Sequence, residues 1–375
     1  MRILHTISVR WWNACAYYAI TLARKQSLQG HDVFVAGVPD YLSTDIAERE
    51  NLNVVRINFS TKDPFKWLTE RFILSGFIKK NGIQIINCHS AEDHLMSGRL
   101  AQRHQIPLVR TVGDVRMPNR NPFNSRLFYR LTTQFIFSSE ANYIRYFSLW
   151  PYIQDKYTLI HGGVDLELFT RQSKKPTIFR ELSLPKNKLL VGIIGRFSKI
   201  KDHHTFIRAA KLSSDRNENL HFIISGADAG YKQSDIRRMI ESLSMQSAVT
   251  LTGPFDPITE LIALLDIGVV ASKDSEAICR IAMEYLAMGI PMVVTDINVL
   301  PEIVQDSRNG FVVPAEDPHE MSECIIRLAE SIDLRKKISQ DNIMDATDSY
   351  SLDQWYHQTE TVYRKVIKHK KSRSS

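Results

Sequence analysis

Short apolar runs alternate with segments that are apolar at helical spacing along most of this 375-residue chain. Near its start, an apolar run at 2–7 is followed by a helical pattern at 13–29 and by a second apolar run at 32–36. Short apolar runs are typical of buried strands, and an apolar period of about 3.6 residues is typical of a helix packed on one face. Gly30 stands where such a helix is expected to end. The pattern predicts a strand, a helix and a second strand.

The same alternation continues in two series, which favours two α/β domains. Strands alternating with helices predict parallel sheets covered by helices on both faces. We therefore expect two Rossmann-like, doubly wound parallel-sheet domains facing across a cleft, with ligands bound beyond the carboxyl ends of the strands. The further predicted strands lie at 54–57, 83–88, 108–111 and 135–138 in the first series, and at 189–194, 220–225, 249–252, 267–271, 292–295 and 310–313 in the second.

A polar, basic stretch at 171–176 separates the two series. Such composition is typical of a segment between domains, and a chain of this length favours two domains on its own. We predict an N-terminal domain at 1–170, a linker at 171–188 and a C-terminal domain at 189–351. The amphipathic segment 352–367 is predicted to cross back to the first domain.

Composition narrows the class of protein. Hydrophobic residues make up 43% and charged residues 24% of the chain, as in ordinary globular proteins. The cysteines are scattered without a paired spacing, which favours a reducing, cytoplasmic location and predicts neither a disulfide framework nor a zinc site. The sequence has no uninterrupted apolar stretch of about 18 residues, so we expect a protein without a spanning helix.

The net charge is +7, and part of it lies in the basic segment 364–373. Such a run is typical of a solvated terminus, but basic clusters also attract anionic lipid. Peripheral contact with the inner face of the cytoplasmic membrane is therefore an alternative. Nucleic acid is not an expected partner, because no nucleic-acid-binding motif accompanies the charge.

Two carboxylates stand out in the second half of the chain. Glu276 follows the predicted strand 267–271, and the pattern predicts that it lies in the first turn of a helix that Gly289 ends. Glu284 comes about two turns later, so both carboxylates could face one elongated ligand. The helix N-terminus at Glu276, Ala277 and Ile278 is expected to offer N–H groups to a phosphate or to sugar hydroxyls. The alternative is a helix-start charge at Glu276 and a solvated Glu284.

A second candidate site follows the predicted strand 189–194. Gly195 allows a ligand to approach the backbone, and the loop then supplies two cations, Arg196 and Lys201. Arg binds phosphate through two parallel hydrogen bonds, and Lys adds a compact charge. Taken alone, such a loop is also typical of a solvated surface.

Together these motifs resemble the retaining glycosyltransferases of family 4, which have the GT-B architecture, along nearly the whole chain. The family has Gly-Arg followed five residues later by Lys, and two glutamates separated by seven residues, as in Gly195-Arg196-Lys201 and in Glu276 with Glu284. The segments 161–169, 301–304 and 309–313 match further parts of the family pattern.

The resemblance implies that the domain at 1–170 is the acceptor side and that the domain at 189–351 binds the donor. It also implies a role for each matched residue. Arg196 and Lys201 would bind the diphosphate of a nucleotide-sugar donor, UDP- or GDP-linked, while Glu276 would contact the donor sugar and Glu284 the ribose hydroxyls. Breaking a sugar–phosphate bond places negative charge on the leaving diphosphate, which two cations stabilise. The sequence has no D-x-D motif, so we expect neither a metal nor another cofactor.

The first domain matches the family less closely. Its loop 8–14, which contains Asn13, lacks the pair of glycines usual in the family. Where many relatives have a histidine near the donor sugar, this chain has Gly113, so Asp114 is the nearest candidate for contact with an acceptor hydroxyl. His89 is expected at the same edge, as a site residue or as a hydrogen-bonded structural histidine.

Several arginines surround the predicted acceptor loop, and a phosphorylated or carboxylated acceptor would suit them; the alternative is a solubilising basic face. The stretch 110–116 also resembles family members of bacterial lipopolysaccharide and surface-glycan assembly. The predicted function is therefore transfer, with retention, to a glycan or lipid-linked acceptor in such a pathway. Two alternatives remain open, a nucleotide-sugar 2-epimerase and a non-catalytic scaffold subunit of a glycan-assembly complex. The arginines are Arg110, Arg116, Arg120, Arg126 and Arg130.

Overall fold

The computed structural model describes residues 1–116 and 120–372, with side chains to Lys370. The chain forms two compact units, of which the first comprises 1–162 with the chain from Leu352 onward, and the second comprises 163–351. The first unit thus ends at Gly162 rather than at 170, and a short helix, α7, lies inside the predicted linker. Among the described residues, no helix combines the length and the apolar content that crossing a bilayer requires.

The first unit is built on a parallel sheet with strand order β3-β2-β1-β4-β5-β6-β7. The order reverses direction between β1 and β4, which is the arrangement of a doubly wound sheet. β7 was not predicted, because its three residues form no apolar run and two of them are exposed. The strands are β1 Arg2–Ile7, β2 Asp32–Gly37, β3 Asn53–Arg56, β4 Ile85–Cys88, β5 Leu108–Val112, β6 Gln134–Phe137 and β7 Tyr157–Leu159.

Local capping explains where helices of this unit begin and end. The Asn13 side chain accepts a hydrogen bond from the N–H of Ala16, and Gly82 closes a helix in the left-handed conformation at φ +57°. The predicted helix 13–29 is observed as α1. The helices are α1 Ala14–Leu28, α2 Leu42–Arg49, α3 Pro64–Asn81, α4 Ala91–Arg103, α5 Pro122–Leu131 and α6 Glu140–Phe147.

The second unit has a parallel sheet of order β10-β9-β8-β11-β12-β13, so both predicted doubly wound sheets are confirmed. Apolar residues such as Val191, Phe222 and Val269 fill one of its cores. The strands are β8 Leu189–Ile194, β9 Leu220–Ser225, β10 Val249–Thr252, β11 Ile267–Val270, β12 Met292–Thr295 and β13 Phe311–Val313. The helices are α7 Pro176–Glu181, α8 His203–Arg216, α9 Gln233–Ser242, α10 Ile258–Leu264, α11 Arg280–Ala287, α12 Leu300–Ile303, α13 Pro318–Glu330 and α14 Ile332–Ser349.

The last helix, α15 Leu352–Ser372, belongs to the first unit. Its Tyr363 is fully buried and its hydroxyl accepts a hydrogen bond from Asn87 at 2.6 Å. At its start, Asp353 pairs with Lys25 of α1 at 2.7 Å.

Candidate functional site

Three loops of the second unit meet at the carboxyl edge of its sheet. Gly195 follows β8, Gly226 follows β9, and Ser272 comes shortly after β11. β8 lies between β9 and β11 in the sheet, and all three strands are parallel. Parallel strands present their carboxyl ends at one edge, which is where open α/β sheets bind ligands. The loop residues are therefore neighbours although they are far apart in sequence.

Backbone hydrogen bonds hold the loop after β8 against the loop after β9. The N–H of Gly195 donates to the carbonyl of Ser225 at 2.9 Å, and the N–H of Phe197 donates to the carbonyl of Ala227 at 2.8 Å. Phe197 is fully buried, whereas Arg196 between them is exposed. This geometry presents the guanidinium of Arg196 to solvent at the sheet edge.

Gly226 permits this close approach, and sequence reasoning missed it. A Cβ atom at Gly226 would lie 1.9 Å from the carbonyl oxygen of Gly195, a distance that no side chain can occupy. The sequence did carry a signal for this glycine, because Gly226 directly follows the predicted strand 220–225, where a glycine allows another backbone to approach closely. Its role is to let the backbone of the Gly195 loop pack on the neighbouring strand.

Lys201 and Glu276 are brought together as an ion pair. Lys201 ends a short 3-10 turn, and Asp202 then begins α8 with φ +43° and accepts a hydrogen bond from Thr205. The Lys201 side chain is 20% exposed and the Glu276 side chain 7% exposed. Burial is the largest influence on the pKa of Lys201 and lowers it, but the charge and the hydrogen bond of Glu276, together with nearby Cys279, raise the pKa overall. Lys201 therefore remains a cation at neutral pH.

The Glu276 carboxylate is also oriented by Ser272, which sequence reasoning missed. The Ser272 hydroxyl donates to Oε1 of Glu276 at 2.6 Å, and the carbonyl of Glu276 accepts from the N–H of Val299 at 3.1 Å. Ser272 is fully buried. A buried serine just after a strand carries no sequence signal that separates it from a core residue.

The predicted helix start at Ser275 and Glu276 is wrong. α11 begins at Arg280, after Cys279, and Ser275 has φ +61° in the left-handed region. A non-glycine residue in that conformation cannot belong to a right-handed helix. Glu276 is therefore a loop residue, and so are Ala277 and Ile278, which are both buried.

Glu284 lies within α11 and is only 5% exposed, so it is not the solvated face residue that the sequence left open. Its Oε1 accepts a hydrogen bond from Nη2 of Arg280 at 2.9 Å, one helical turn earlier. Burial raises the pKa of Glu284, and Arg280 opposes that rise only in part. The two predicted glutamates thus have different partners, Lys201 for Glu276 and Arg280 for Glu284.

His203 adds a neutral side chain beside the Lys201 cation. Its ring is buried and packs edge-on against Phe197, with the ring centroids 5.3 Å apart. Burial and the charge of Lys201 lower the pKa of His203 to about 4. The imidazole is therefore uncharged at neutral pH and adds no charge beside Lys201.

In the first unit, two predicted acceptor-side residues are built into the fold. The Asn13 side chain caps α1, as described above. His89 is 1% exposed, and its Nε2 lies 2.9 Å from Nδ1 of His5, whose ring it stacks against at 5.2 Å. Burial and His5 hold the pKa of His89 well below its usual range.

The other two acceptor-side residues lie together near the surface. Oδ1 of Asp114 accepts a hydrogen bond from the N–H of Arg116 at 3.0 Å, and the Arg116 guanidinium donates to Glu92 at 2.7 Å. Asp114 is half-buried and Arg116 is exposed. The pair presents one carboxylate and one guanidinium after β5.

Arg110 differs from the other arginines of the acceptor region because it is buried, at 1% exposure. Its Nη1 donates to the carbonyls of Cys88 and Thr111 at 3.2 and 2.5 Å, and its Nη2 has no hydrogen-bond partner among the described residues. Arg110 is thus not part of a solubilising face. The exposed arginines are Arg116, Arg120, Arg126 and Arg130.

Each half of the chain matches a family model of known proteins. Residues 174–343 match the family described as Glycosyl transferases group 1, and residues 16–168 match Glycosyltransferase Family 4. A D-inositol 3-phosphate glycosyltransferase of Corynebacterium glutamicum (strain R) is 27% identical over 201 residues, which are 51% of this chain and 48% of that protein. The chain spans about half the length of the curated relatives it matches.

Solved structures show the same fold over nearly the whole chain. A glycosyltransferase from Rickettsia africae ESF-5 has a TM-score of 0.90 at 18% identity, covering 98% of both chains. Anabaena HepE, solved in complex with UDP, has a TM-score of 0.84 at 18% identity, covering 97% of this chain and 100% of that one. With its two matched regions, the chain is similar to glycosyltransferases of the family 4 type, and its fold is the GT-B architecture.

Proposed function

We propose that the protein transfers a sugar from a nucleoside-diphosphate sugar to a glycan or lipid-linked acceptor. The observation that carries this proposal is the group at the carboxyl edge of the second sheet, where exposed Arg196 lies in the same loop as Lys201 and Lys201 meets the Ser272-oriented carboxylate of Glu276. Cations stabilise a leaving diphosphate, and an oriented carboxylate accepts hydrogen bonds from sugar hydroxyls.

The chemistry follows from these charges. Departure of the diphosphate leaves negative charge on phosphate oxygens and makes the sugar cation-like. Arg196 would bind phosphate through two parallel hydrogen bonds, and the Lys201 ammonium would turn from Glu276 toward the second phosphate. The carboxylate of Glu276, released from Lys201 and still held by Ser272, would then accept from the donor sugar. The ion pair thus keeps both side chains in place until the donor arrives.

Glu284 is proposed to bind the ribose hydroxyls. It is buried, and Nη2 of Arg280 donates a hydrogen bond to its Oε1. Burial leaves the carboxylate poorly hydrated, which strengthens hydrogen bonds that it accepts. Donors linked to UDP or GDP are the proposed substrates, and UDP is the first to test because HepE, which has the same fold, was solved with it. Metal-independent transfer with retention is proposed from the family resemblance.

We further propose that the acceptor is anionic and belongs to lipopolysaccharide or surface-polysaccharide biosynthesis. In the first unit, half-buried Asp114 would meet an acceptor hydroxyl, and exposed Arg116 and Arg120 would offer charge for a phosphate or carboxylate. A cytoplasmic location with peripheral membrane contact fits a lipid-linked acceptor.

The surface that supports membrane contact is an exposed apolar face of α3. Phe65, Leu68 and Phe72 have the i, i+3, i+7 spacing of one helix face and are 80%, 53% and 79% exposed. Lys79 and Lys80 follow on the same helix and are exposed as well. Apolar side chains beside cations suit an anionic lipid surface. The basic segment 364–373 lies partly outside the described side chains.

Thermal unfolding with UDP, GDP and their glucose and mannose conjugates tests the donor proposal. Ligand at about 100 times its Kd adds about 2.7 kcal/mol to the free energy of unfolding, which raises Tm by a few degrees. We expect Arg196→Ala/Lys201→Ala to lose this shift. The matched control is Lys199→Ala, an exposed cation in the same turn, which should keep it. A shift that survives in the double variant would refute the assigned site.

The reaction itself distinguishes the alternatives. A donor that stabilises the protein is incubated with phosphorylated glycan acceptors, and the products are followed by NMR. Formation of a glycoside supports transfer, and the anomeric coupling constant reports retention. Conversion of the donor sugar without an acceptor would favour the 2-epimerase, and a donor that neither binds nor reacts would favour the scaffold.

A further inference from the structure

A pocket of about 550 Å³ lies in the second unit, at the edge of the sheet opposite the candidate donor site. Asp266 and Pro291 line it, and each directly precedes a strand, β11 and β12 respectively. Gly195 and Ser272 of the donor site follow strands instead. Because all strands of this sheet are parallel, the two sets of residues lie at opposite edges. The pocket is therefore separate from the donor site.

One wall of the pocket is a single face of α14. Ile332, Arg335, Lys336 and Ser339 have the i, i+3, i+4, i+7 spacing of neighbours on a helix surface, and all of them line the pocket. The opposite wall is the segment 171–174. The two walls touch where Nη1 of Arg171 lies 3.3 Å from the Ser339 hydroxyl.

Three cations of the pocket lining have no acid that neutralises them. Among the residues that line the pocket in the described part of the chain, the one acid is Asp266, and it pairs with Lys174 at 2.7 Å. Within the described residues, Arg171, Arg335 and Lys336 form no ion pair. Like charges this close repel one another and favour an anion between them.

Arg335 is held in position rather than free to swing into solvent. Its Nη1 donates to the carbonyls of Leu328 and Ala329, at 2.5 and 2.8 Å, where α13 ends. These bonds use one nitrogen of the guanidinium. The remaining N–H groups stay available for a planar, two-bond contact with a phosphate.

The pocket is apolar as well as basic. Leu265, Met288 and Ile290 are buried residues that line it, and Ile332 at its rim is 57% exposed. An exposed isoleucine beside a cavity gains from contact with an apolar ligand group. The volume is within the range of small-molecule sites.

We propose that this pocket binds a ligand with a phosphate group and a short apolar portion. The phosphate contacts Arg171, Arg335 and Lys336. The apolar portion contacts Ile332 and the buried apolar residues of the lining. Such chemistry occurs in a soluble phosphate ester and in the headgroup region of an anionic lipid. Binding joins the segment 171–174 to α14, so it stabilises the second unit without occupying the donor site.

Calorimetry with hexyl phosphate tests the proposal. The protein used carries Arg196→Ala/Lys201→Ala, so that the donor site does not compete for phosphate. Hexyl phosphate should bind more tightly than inorganic phosphate, which lacks the apolar portion, and more tightly than hexanol, which lacks the phosphate. Lys336→Glu should weaken binding at least about tenfold, since it replaces a charged contact by repulsion. Lys337→Glu is the matched control, because Lys337 is equally exposed on α14 but does not line the pocket.

The source of the ligand is decided by co-sedimentation with phosphatidic acid vesicles. Phe65→Ser and Phe72→Ser are added to every variant, so that the exposed apolar face of α3 does not itself hold the protein on the vesicle. Loss of co-sedimentation in Lys336→Glu but not in Lys337→Glu identifies a lipid headgroup, whereas the same difference in calorimetry alone identifies a soluble ester. Equal effects of the two substitutions, or binding in neither experiment while both variants keep the wild-type Tm, would overturn the proposal.

Discussion

The ammonium of Lys201 bonds to the carboxylate of Glu276, although the two residues are 75 positions apart in the chain. Lys201 comes from the loop after β8 and Glu276 from the loop after β11, and these strands are direct neighbours in the sheet. The pair is therefore a product of strand order. It places the lysine of the Gly-Arg-Lys motif and the first of the two spaced glutamates in one group.

Removing one member of this pair should destabilise the protein. Lys201→Met leaves the Glu276 carboxylate buried without its cation, which costs about 3 kcal/mol. Glu276→Gln in the same chain removes the unpaired charge, so the double variant should recover most of the loss. Urea unfolding of the wild type, the two single variants and the double variant gives the coupling free energy between the two side chains. Additive losses would show that the ion pair does not exist in solution.

Ser272→Ala should lower catalysis more than it lowers stability. The substitution removes the hydrogen bond that orients Oε1 of Glu276, and a bond to a charged group contributes about 1.5 kcal/mol, or roughly tenfold in rate. We expect the loss in kcat/KM for sugar transfer. Ser225→Ala is the control, because Ser225 is also buried at the end of a strand but bonds to the carbonyl of Gly253. A control that loses as much activity would contradict a specific role for Ser272.

Gly226→Ala should disable the donor loop. Its Cβ would collide with the carbonyl oxygen of Gly195. Neither atom can rotate away as a side chain can, so the loop that carries Arg196 must move. Nucleotide binding should fall and Tm should drop. Gly253 follows β10 at the same edge, where a Cβ would meet only a side-chain atom of Gln233 at 3.9 Å. Gly253→Ala should therefore retain nucleotide binding, and thermal shift with the identified nucleotide compares the two variants.

Asp93 should make stability fall as pH rises. Burial raises the pKa of Asp93 from its usual value to about 7, while Arg110 and the N–H of Ser90 oppose the rise. A carboxyl whose pKa is higher in the folded state binds more protons there. Its burial therefore reduces stability progressively from about pH 4 to about pH 7.

Asp93→Asn removes this dependence and keeps the side-chain oxygen that accepts from Ser90 at 3.0 Å. The variant should match the wild type at pH 4, where Asp93 is protonated, and exceed it at pH 8. Tm is measured across this range, with Asp114→Asn as the control. Parallel curves for Asp93→Asn and the wild type would show that Asp93 has an ordinary pKa.

The sequence by itself determined the two parallel sheets and most strand positions. Largely apolar runs such as 189–194 and 220–225 coincide with β8 and β9, because a strand buried on both faces is mostly apolar. The edge strand β7 lacks that constraint and was missed. The Gly-Arg-Lys and Glu-Glu spacings were likewise visible, since they are local in the chain.

Tertiary structure decided how those residues are used. The left-handed Ser275 takes Glu276 out of the helix, and Glu276 bonds there to Ser272 and Lys201. The burial of Glu284 and the need for glycine at 226 depend on elements distant in sequence. The basic pocket likewise depends on two elements distant in sequence, the segment 171–174 and α14. Contacts between distant segments leave no period in the sequence, so only the folded chain reveals them.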